Sequence, residues 1–330
     1  MNQTKILSTG SYFPEKIITN EDLAKLVDTN DAWITERTGI KTRHVISREK
    51  HETNTDMGRA AAEMALKRAG KQASDIDFII YATVTGDHIV PNASCLLQDK
   101  LGATNAAGMD LSAACSGFLY GLSVANAFIQ IGQYKTILLV GADVLSEVTD
   151  WTDRSTCILF GDAAGAVLLG ATSEADKSRV YSSHLYMDGR FKDIFYLPAG
   201  GTAMPASHET VDKKLHYMQM KGREIFKVAV RMLADCAVEA LTKNGLTSSD
   251  LNWFIPHQAN SRIIEAVAKR LGLSLDKVIM NIDRYGNTSS ATVPTAFDEA
   301  VTNGKIKRGD LVLMDVFGAG LTWGSVLLRY

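Results

Sequence analysis

The 330-residue chain lacks the features that mark a disulfide scaffold, a metal centre or a membrane span. Its four cysteines, Cys95, Cys115, Cys157 and Cys236, show no C-x-x-C spacing. That argues against a disulfide framework or a zinc site and favours a reducing compartment, the cytoplasm. No apolar run reaches the roughly 18 residues of a membrane-spanning helix, and Met1–Gly10 lacks the apolar core of a signal peptide. The net charge is only −2, from 35 Lys and Arg against 37 Asp and Glu, so no global attraction to nucleic acid is expected. The histidines form no H-E-x-x-H pattern, which predicts no metal. The glycine-rich stretches 160–165 and 317–320 match neither a P-loop nor a dinucleotide fingerprint.

What is present is a pattern written twice. Residues 56–70 read as an Ala-rich helix stopped by Gly70, followed by Ser74-Asp75-Ile76-Asp77-Phe78-Ile79-Ile80, a turn into a buried strand. Residues 224–245 repeat it, with Gly245 as the stop and Ser249-Asp250-Leu251-Asn252-Trp253-Phe254-Ile255 as the turn and strand. The two glycines and the two serines are both 175 residues apart (245 − 70 and 249 − 74). Gly132 before Ile137–Val140 resembles Gly304 before Leu311–Met314 at an offset of 172 residues (304 − 132), which also separates Cys115 from Asn287. The reading is two similar α/β halves, 1–173 and 174–330, with continuous apolar strands buried between helices. The common offset predicts that Cys115 and Asn287 occupy equivalent places and approach each other at the junction.

Cys115 stands where an apolar run meets Ser116-Gly117-Phe118 and a helical pattern begins. A thiol attacks a thioester as a thiolate. A helix N-terminus contributes about 0.3–1 kcal/mol toward that, up to roughly 2 when partly buried. At 1.36 kcal/mol per unit this lowers the pKa by about 1.5 units at most, so the helix alone does not activate the sulfur. His257, after the apolar run Leu251–Ile255 and Pro256, is a candidate proton acceptor or thiolate partner. Asn287, in Tyr285-Gly286-Asn287-Thr288-Ser289, offers amide donors that carry no charge at any pH. Cys95, Cys157 and Cys236 read as inert core thiols.

In these surroundings the chain resembles the β-ketoacyl-[acyl-carrier-protein] synthase III family of the thiolase-like superfamily, nearly from end to end. The resemblance rests on Asp31–Ile40, Ala113-Ala114-Cys115-Ser116-Gly117-Phe118, Phe160-Gly161-Asp162, Pro256-His257-Gln258-Ala259-Asn260, Gly286-Asn287-Thr288-Ser289 and Phe317–Ser325. It implies a duplicated α-β-α-β-α five-layer fold, usually a homodimer. It also implies the initiating condensation of type II fatty acid synthesis, with acyl-CoA and malonyl-[acyl-carrier protein] as substrates and no cofactor beyond the CoA thioester itself. By the same resemblance Cys115 is acylated, and His257 and Asn287 hold the malonyl thioester oxygen. The backbone N–H groups of Cys115 and Gly320 form the oxyanion hole. Trp33 and Arg154 hold the CoA adenine, with Arg37 and Thr38 near the nucleotide. Gly222, Phe226, Ala259 and Asn260 line the pantetheine tunnel, and Lys227, Arg262, Lys269 and Arg270 meet the carrier protein. A relative making a ketide, a quinolone precursor or a head-to-head product shares the three reactive residues, and a non-catalytic acyl-CoA-binding protein is a further alternative.

The chain departs from the family pattern at three places. Val90 stands where short-chain members often carry Phe, at a position that reaches into the partner subunit's acyl pocket. Ser155 replaces a common Gly after Arg154. The polar Thr202–His216 stretch reads as a flexible loop near the tunnel mouth.

Overall fold

The computed structural model describes residues 2–173 and 176–330. The first sheet contains β1 (Gln3–Tyr12), β2 (Phe78–Ala82), β3 (Ala107–Leu111), β4 (Thr136–Val144) and β5 (Asp162–Thr172), in the spatial order β1-β5-β4-β2-β3. The second contains β6 (Arg179–Met187), β7 (Trp253–Pro256), β8 (Leu311–Gly318) and β9 (Thr322–Arg329), in the order β7-β8-β9-β6. Read from the other edge, the second order repeats the first. The missing counterpart of β3 survives as a single parallel bridge between Phe254 and Val278. The expected boundary at 173/174 adjoins residues 174 and 175, which lie outside the described residues.

The helices that position the site are α1 (Asp31–Thr38), α2 (Asn54–Ala69), α3 (Ala93–Leu101), α4 (Gly117–Gln130), α5 (Gly222–Lys243), α6 (Ser261–Arg270) and α7 (Thr292–Thr302). Three apolar cores define the layers. Met57, Ala61 and Ala65 of α2 and Leu97 of α3 pack on one face of the first sheet. Phe118 and Leu122 of α4 and Val293 and Phe297 of α7 fill the space between the sheets, against Ile80 and Met314. Leu233 and Ala237 of α5 and Ile264 and Val267 of α6 cover the outer face of the second sheet. Helix, sheet, helices, sheet, helix is the five-layer arrangement of the thiolase-like fold. Strands β2 and β8 are buried along their whole length, as continuous apolar runs require when helices cover both faces of a sheet.

Local sequence explains the element ends. Helix α2 begins at a reciprocal capping box between Thr53 and Asp56 and ends at Gly70 in the left-handed region. Its equivalent, α5, ends one residue before Asn244 and Gly245. The 202–216 stretch is not a plain loop: Ser207 and Thr210 cap a short helix, His208–Asp212.

The repeat holds in strand register. Phe78 pairs with Ile137 and Trp253 with Val312, both displaced by 175 residues (253 − 78 and 312 − 137). The same offset relates the 3₁₀ turns Ala114–Ser116 and Ser289–Ala291 (289 − 114) and the starts of α4 and α7 (292 − 117). Ala114 and Ser289, each just before its helix, both hold a positive φ, 47° and 55°. This corrects the expected equivalence of Cys115 and Asn287. The structural counterpart of Cys115 is Ser290, and Asn287 lies three residues upstream of it. The two turns nevertheless pack against each other.

Gly141 of β4 lies at that junction, where an added Cβ would stand 2.6 Å from the Ser290 carbonyl oxygen. Gly141→Ala is expected to destabilise the fold by about 1–3 kcal/mol through overpacking, read by urea unfolding. Gly189→Ala, with nothing within 4 Å of the new methyl, is expected to stay within about 0.5 kcal/mol of the parent.

Candidate active site

Cys115 sits in the 3₁₀ turn that follows β3 and leads into α4, and it is 5% exposed. The turn is held from the other half: the Thr322 hydroxyl donates to Ala113 O at 3.0 Å, and the Ser116 hydroxyl donates to Thr322 O at 3.1 Å. Gly318 at the end of β8 presses against it. A Cβ there would meet the Cys115 nitrogen at 2.9 Å and the Ser116 nitrogen at 3.0 Å, so only glycine lets β8 approach the backbone of this turn so closely.

His257 follows β7, and its backbone N–H donates to Asp315 O at 2.7 Å. The next residue, Gln258, is a buried cross-link: its amide donates to Pro256 O at 2.6 Å and its Oε1 accepts from Asn281 N at 3.1 Å. Asn287 is pinned by a parallel bridge to Phe160, with its N–H donating to Leu159 O at 2.9 Å. Its side-chain Oδ1 accepts from the backbone N–H of Ser289 at 2.9 Å. That bond turns the Nδ2 hydrogens away from the turn.

The fold therefore brings Cys115, His257 and Asn287 to the wall of one cavity of about 110 Å³. Gly222, Phe226, Ala259, Asn260 and Gly318 also line it. Gly320 lies in the turn between β8 and β9 with φ 135°. Three contributors went unnoticed in the sequence: Gly318, Ser289 and Thr292. Ser289 stood inside a recognised motif, yet only the fold brings its turn against that of Cys115. Thr292 carried no signal of its own; its hydroxyl lies 2.6 Å from Nδ1 of His257.

Burial sets the charge state. Desolvation pushes the Cys115 thiol up to about 12, against the smaller opposing effect of the Ser289 hydrogen bond. Desolvation holds His257 down at about 3. The resting site is thus a neutral thiol beside a neutral imidazole, not an ion pair. The other cysteines differ among themselves. Cys157 and Cys236 are buried, whereas Cys95 is exposed and is not the core thiol expected.

The remaining expected residues fall into two groups around the cavity. The guanidinium carbons of Arg37, on α1 with Trp33, and of Arg154 lie 4.6 Å and 5.0 Å from the Trp33 ring centre. Asn260 caps α6 and its Nδ2 donates to Arg37 O at 2.9 Å, linking the cavity wall to α1. Thr38 differs from expectation. It is buried, and its hydroxyl donates to Ile34 O and accepts from Ile40 N, so it holds the end of α1 and presents no free group to a ligand. Lys227 is exposed on α5, and Arg262, Lys269 and Arg270 are exposed on α6. Arg270 is paired with Asp235 at 3.1 Å. Val90 is 84% exposed on a loop outside the cavity.

A neutral resting thiol has a kinetic signature. Its thiolate fraction rises about tenfold per pH unit up to its pKa. Alkylation of Cys115 by iodoacetamide, followed by mass spectrometry, is expected to accelerate log-linearly from about pH 6 to 10. A plateau below about pH 8 is the result that contradicts it, since a preformed thiolate–imidazolium pair would react at a constant rate.

Family models described as 3-oxoacyl-[acyl-carrier-protein (ACP)] synthase III and its C-terminal region match residues 109–189 and 241–330. The chain is 49% identical over 325 residues to a β-ketoacyl-[acyl-carrier-protein] synthase III of Caldanaerobacter subterraneus subsp. tengcongensis, covering 98% of this chain and 97% of that protein. The crystal structure of 3-oxoacyl-[acyl-carrier-protein] synthase III from Aquifex aeolicus superimposes with a TM-score of 0.91 at 46% identity, covering 99% and 100% of the two chains. The priming β-ketosynthase of the R1128 polyketide pathway superimposes with a TM-score of 0.90 at 35% identity, covering 99% of this chain and 96% of that one. With a cysteine, a histidine and an asparagine on one buried wall and identity near one half over its whole length, the chain belongs to the β-ketoacyl-[acyl-carrier-protein] synthase III family.

Proposed function

We propose that this protein catalyses the initiating condensation of type II fatty acid synthesis, in two half-reactions at one cavity. The observation that carries the reading is the shared wall of Cys115, His257 and Asn287. In the first half-reaction the Cys115 sulfur attacks the carbonyl carbon of an acyl-CoA. The sulfur–carbon bond of the CoA thioester breaks, and the thiol proton leaves with the CoA sulfur. The oxyanion that forms is held by the backbone N–H groups of Cys115 and Gly320. In the second, malonyl-[acyl-carrier protein] replaces CoA and loses carbon dioxide. The electron pair of the broken bond develops as an enolate, whose oxygen takes hydrogen bonds from Nδ2 of Asn287 and Nε2 of His257. The enolate carbon then attacks the acyl-cysteine, giving β-ketoacyl-[acyl-carrier protein] and freeing the sulfur. No resident cofactor enters either step.

The neutrality of His257 suits this role. A group held near 3 is uncharged throughout the working range, so its hydrogen bonding does not titrate. The orientation of Asn287 suits it as well, because Ser289 N–H occupies Oδ1 and leaves the two amide donors for substrate.

The CoA nucleotide is read as lying against Trp33, Arg37 and Arg154 on the outer surface. Its pantetheine runs inward past Gly222, Phe226, Ala259 and Asn260. The carrier protein docks where Lys227 and Arg262 flank that entrance, with Lys269 further along α6 and Arg270 sharing its charge with Asp235. Phe226, 37% exposed at the cavity mouth, lies under the Arg262 guanidinium at 5.9 Å. The working unit is read as a homodimer joined along the exposed edge strand β3 and the apolar Ile89–Val90 tip, 91% and 84% exposed. Halves 1–173 and 174–330 then supply the nucleophile and the decarboxylation pair, respectively. Among the described residues no helix is long and apolar enough to cross a membrane, in keeping with a cytoplasmic enzyme. A second reading, priming of a polyketide or related product, draws on the 35% identical R1128 ketosynthase.

Cys115→Ala is expected to abolish the covalent acyl adduct seen by mass spectrometry after acyl-CoA treatment. His257→Ala and Asn287→Ala are expected to slow malonyl decarboxylation by about 10²-fold or more while leaving Cys115 acylation within a few-fold. Equal losses in both half-reactions would overturn the division of labour. Val90, smaller than Phe, is expected to leave room for branched or longer primers. Rates with acetyl-, isobutyryl- and octanoyl-CoA, with malonyl-[acyl-carrier protein] as extender, test this, and a strict acetyl preference contradicts it.

A further inference from the structure

A neutral imidazole carries one proton on either of two nitrogens, and the group bonded to the other nitrogen selects which. For His257 that group is Thr292, the first residue of α7, whose Oγ1 lies 2.6 Å from Nδ1 in a fully buried contact. The Thr292 hydroxyl has one hydrogen and two acceptors within reach. The alternative acceptor is Ser289 O at 3.0 Å. That carbonyl already accepts the backbone N–H of Thr292. Of the two acceptors Nδ1 is the nearer, and among the described residues it has no other protein partner. Nε2 is left for the cavity wall that His257 shares with Asn287.

We propose that the Thr292 hydroxyl donates to Nδ1 of His257 and so fixes the imidazole as the Nε2–H tautomer, which makes Thr292 a positioning residue for the malonyl half-reaction. The inference rests on the reading that His257 and Asn287 together hold the thioester oxygen. That oxygen can only accept, so the histidine must present N–H and not a lone pair. Asn287 is set by the same turn: Ser289 N–H occupies its Oδ1 and directs its amide hydrogens outward. The Ser289–Thr292 segment thereby orients both donors, one through a backbone N–H and one through a side-chain O–H.

The test uses the full-length enzyme with malonyl-[acyl-carrier protein], an acyl-CoA and nitrogen NMR of the histidine ring. In the parent, Nδ1 of His257 is expected to show the shift of an unprotonated nitrogen and Nε2 that of a protonated one. Thr292→Val keeps the shape and removes the hydroxyl. It is expected to lower kcat for malonyl decarboxylation by about 10- to 100-fold with KM little changed and Cys115 acylation within about twofold. Thr292→Ser, which restores the hydroxyl, is expected to recover most of the loss. A protonated Nδ1 in the parent overturns the proposal without any variant having to fold. Full decarboxylation in Thr292→Val also overturns it, as does failure of Thr292→Ser to recover activity. If His257→Ala itself leaves decarboxylation intact, the functional reading fails instead, and the two failures are thereby told apart.

Discussion

One buried side chain, Asp143 at the end of β4, ties the two halves together where the chemistry is placed. Its Oδ1 accepts from the Thr83 hydroxyl, Val84 N and the Thr85 hydroxyl at 3.1, 2.9 and 2.8 Å. Its Oδ2 accepts from Ser290 N at 3.2 Å and lies 2.8 Å from the Ser290 hydroxyl. The residue is completely buried, so losing these donors together would leave its oxygens unpaired in a place water does not reach. The cost of that loss is what holds the turn at 289–291 against the first sheet. Through the turn it sets Ser289 against the Cys115 turn, Asn287 in its orientation and Thr292 beside the imidazole. Asp143 touches none of the reacting groups and yet sets the distances among them.

Burial governs the chemistry in two opposed ways. Desolvation raises the Cys115 thiol and lowers His257, so neither group is charged at rest. The same low dielectric makes each fixed donor count for more when charge develops in a transition state. On the proposed function the sulfur is activated as it reacts, by dipoles fixed around it, and the head of α4 is one of them, with the small contribution a helix terminus can make.

The duplication explains why the two turns look alike and act differently. Both place a non-glycine residue at positive φ immediately before the next position, Ala114 before Cys115 and Ser289 before Ser290. Such a conformation costs about 1–2 kcal/mol and persists where the surroundings hold it. In the first half the turn presents Cys115 to the cavity. In the second it hangs Ser290 on Asp143 and presents orienting bonds instead.

The sequence by itself determined the doubled α/β layering, because continuous apolar strands and capped amphipathic helices recur at a nearly constant offset, and burial follows directly from that patterning. It also singled out Cys115, His257 and Asn287, since each stands in a motif shared with the family. It misjudged how the halves superimpose, pairing Cys115 with Asn287. Two offsets, 175 and 172, compete in the chain, and only strand register separates them. It read Thr38 as a ligand contact and Cys95 as a core thiol, because residue type does not reveal which way a side chain faces. Gly318, Ser289, Thr292 and the Asp143 network were decided by tertiary structure alone. The long-range contacts among them run from 35 residues (Thr292 to His257) to 203 (Gly318 to Cys115), and a contact across such a separation leaves no periodicity or spacing in either segment that makes it.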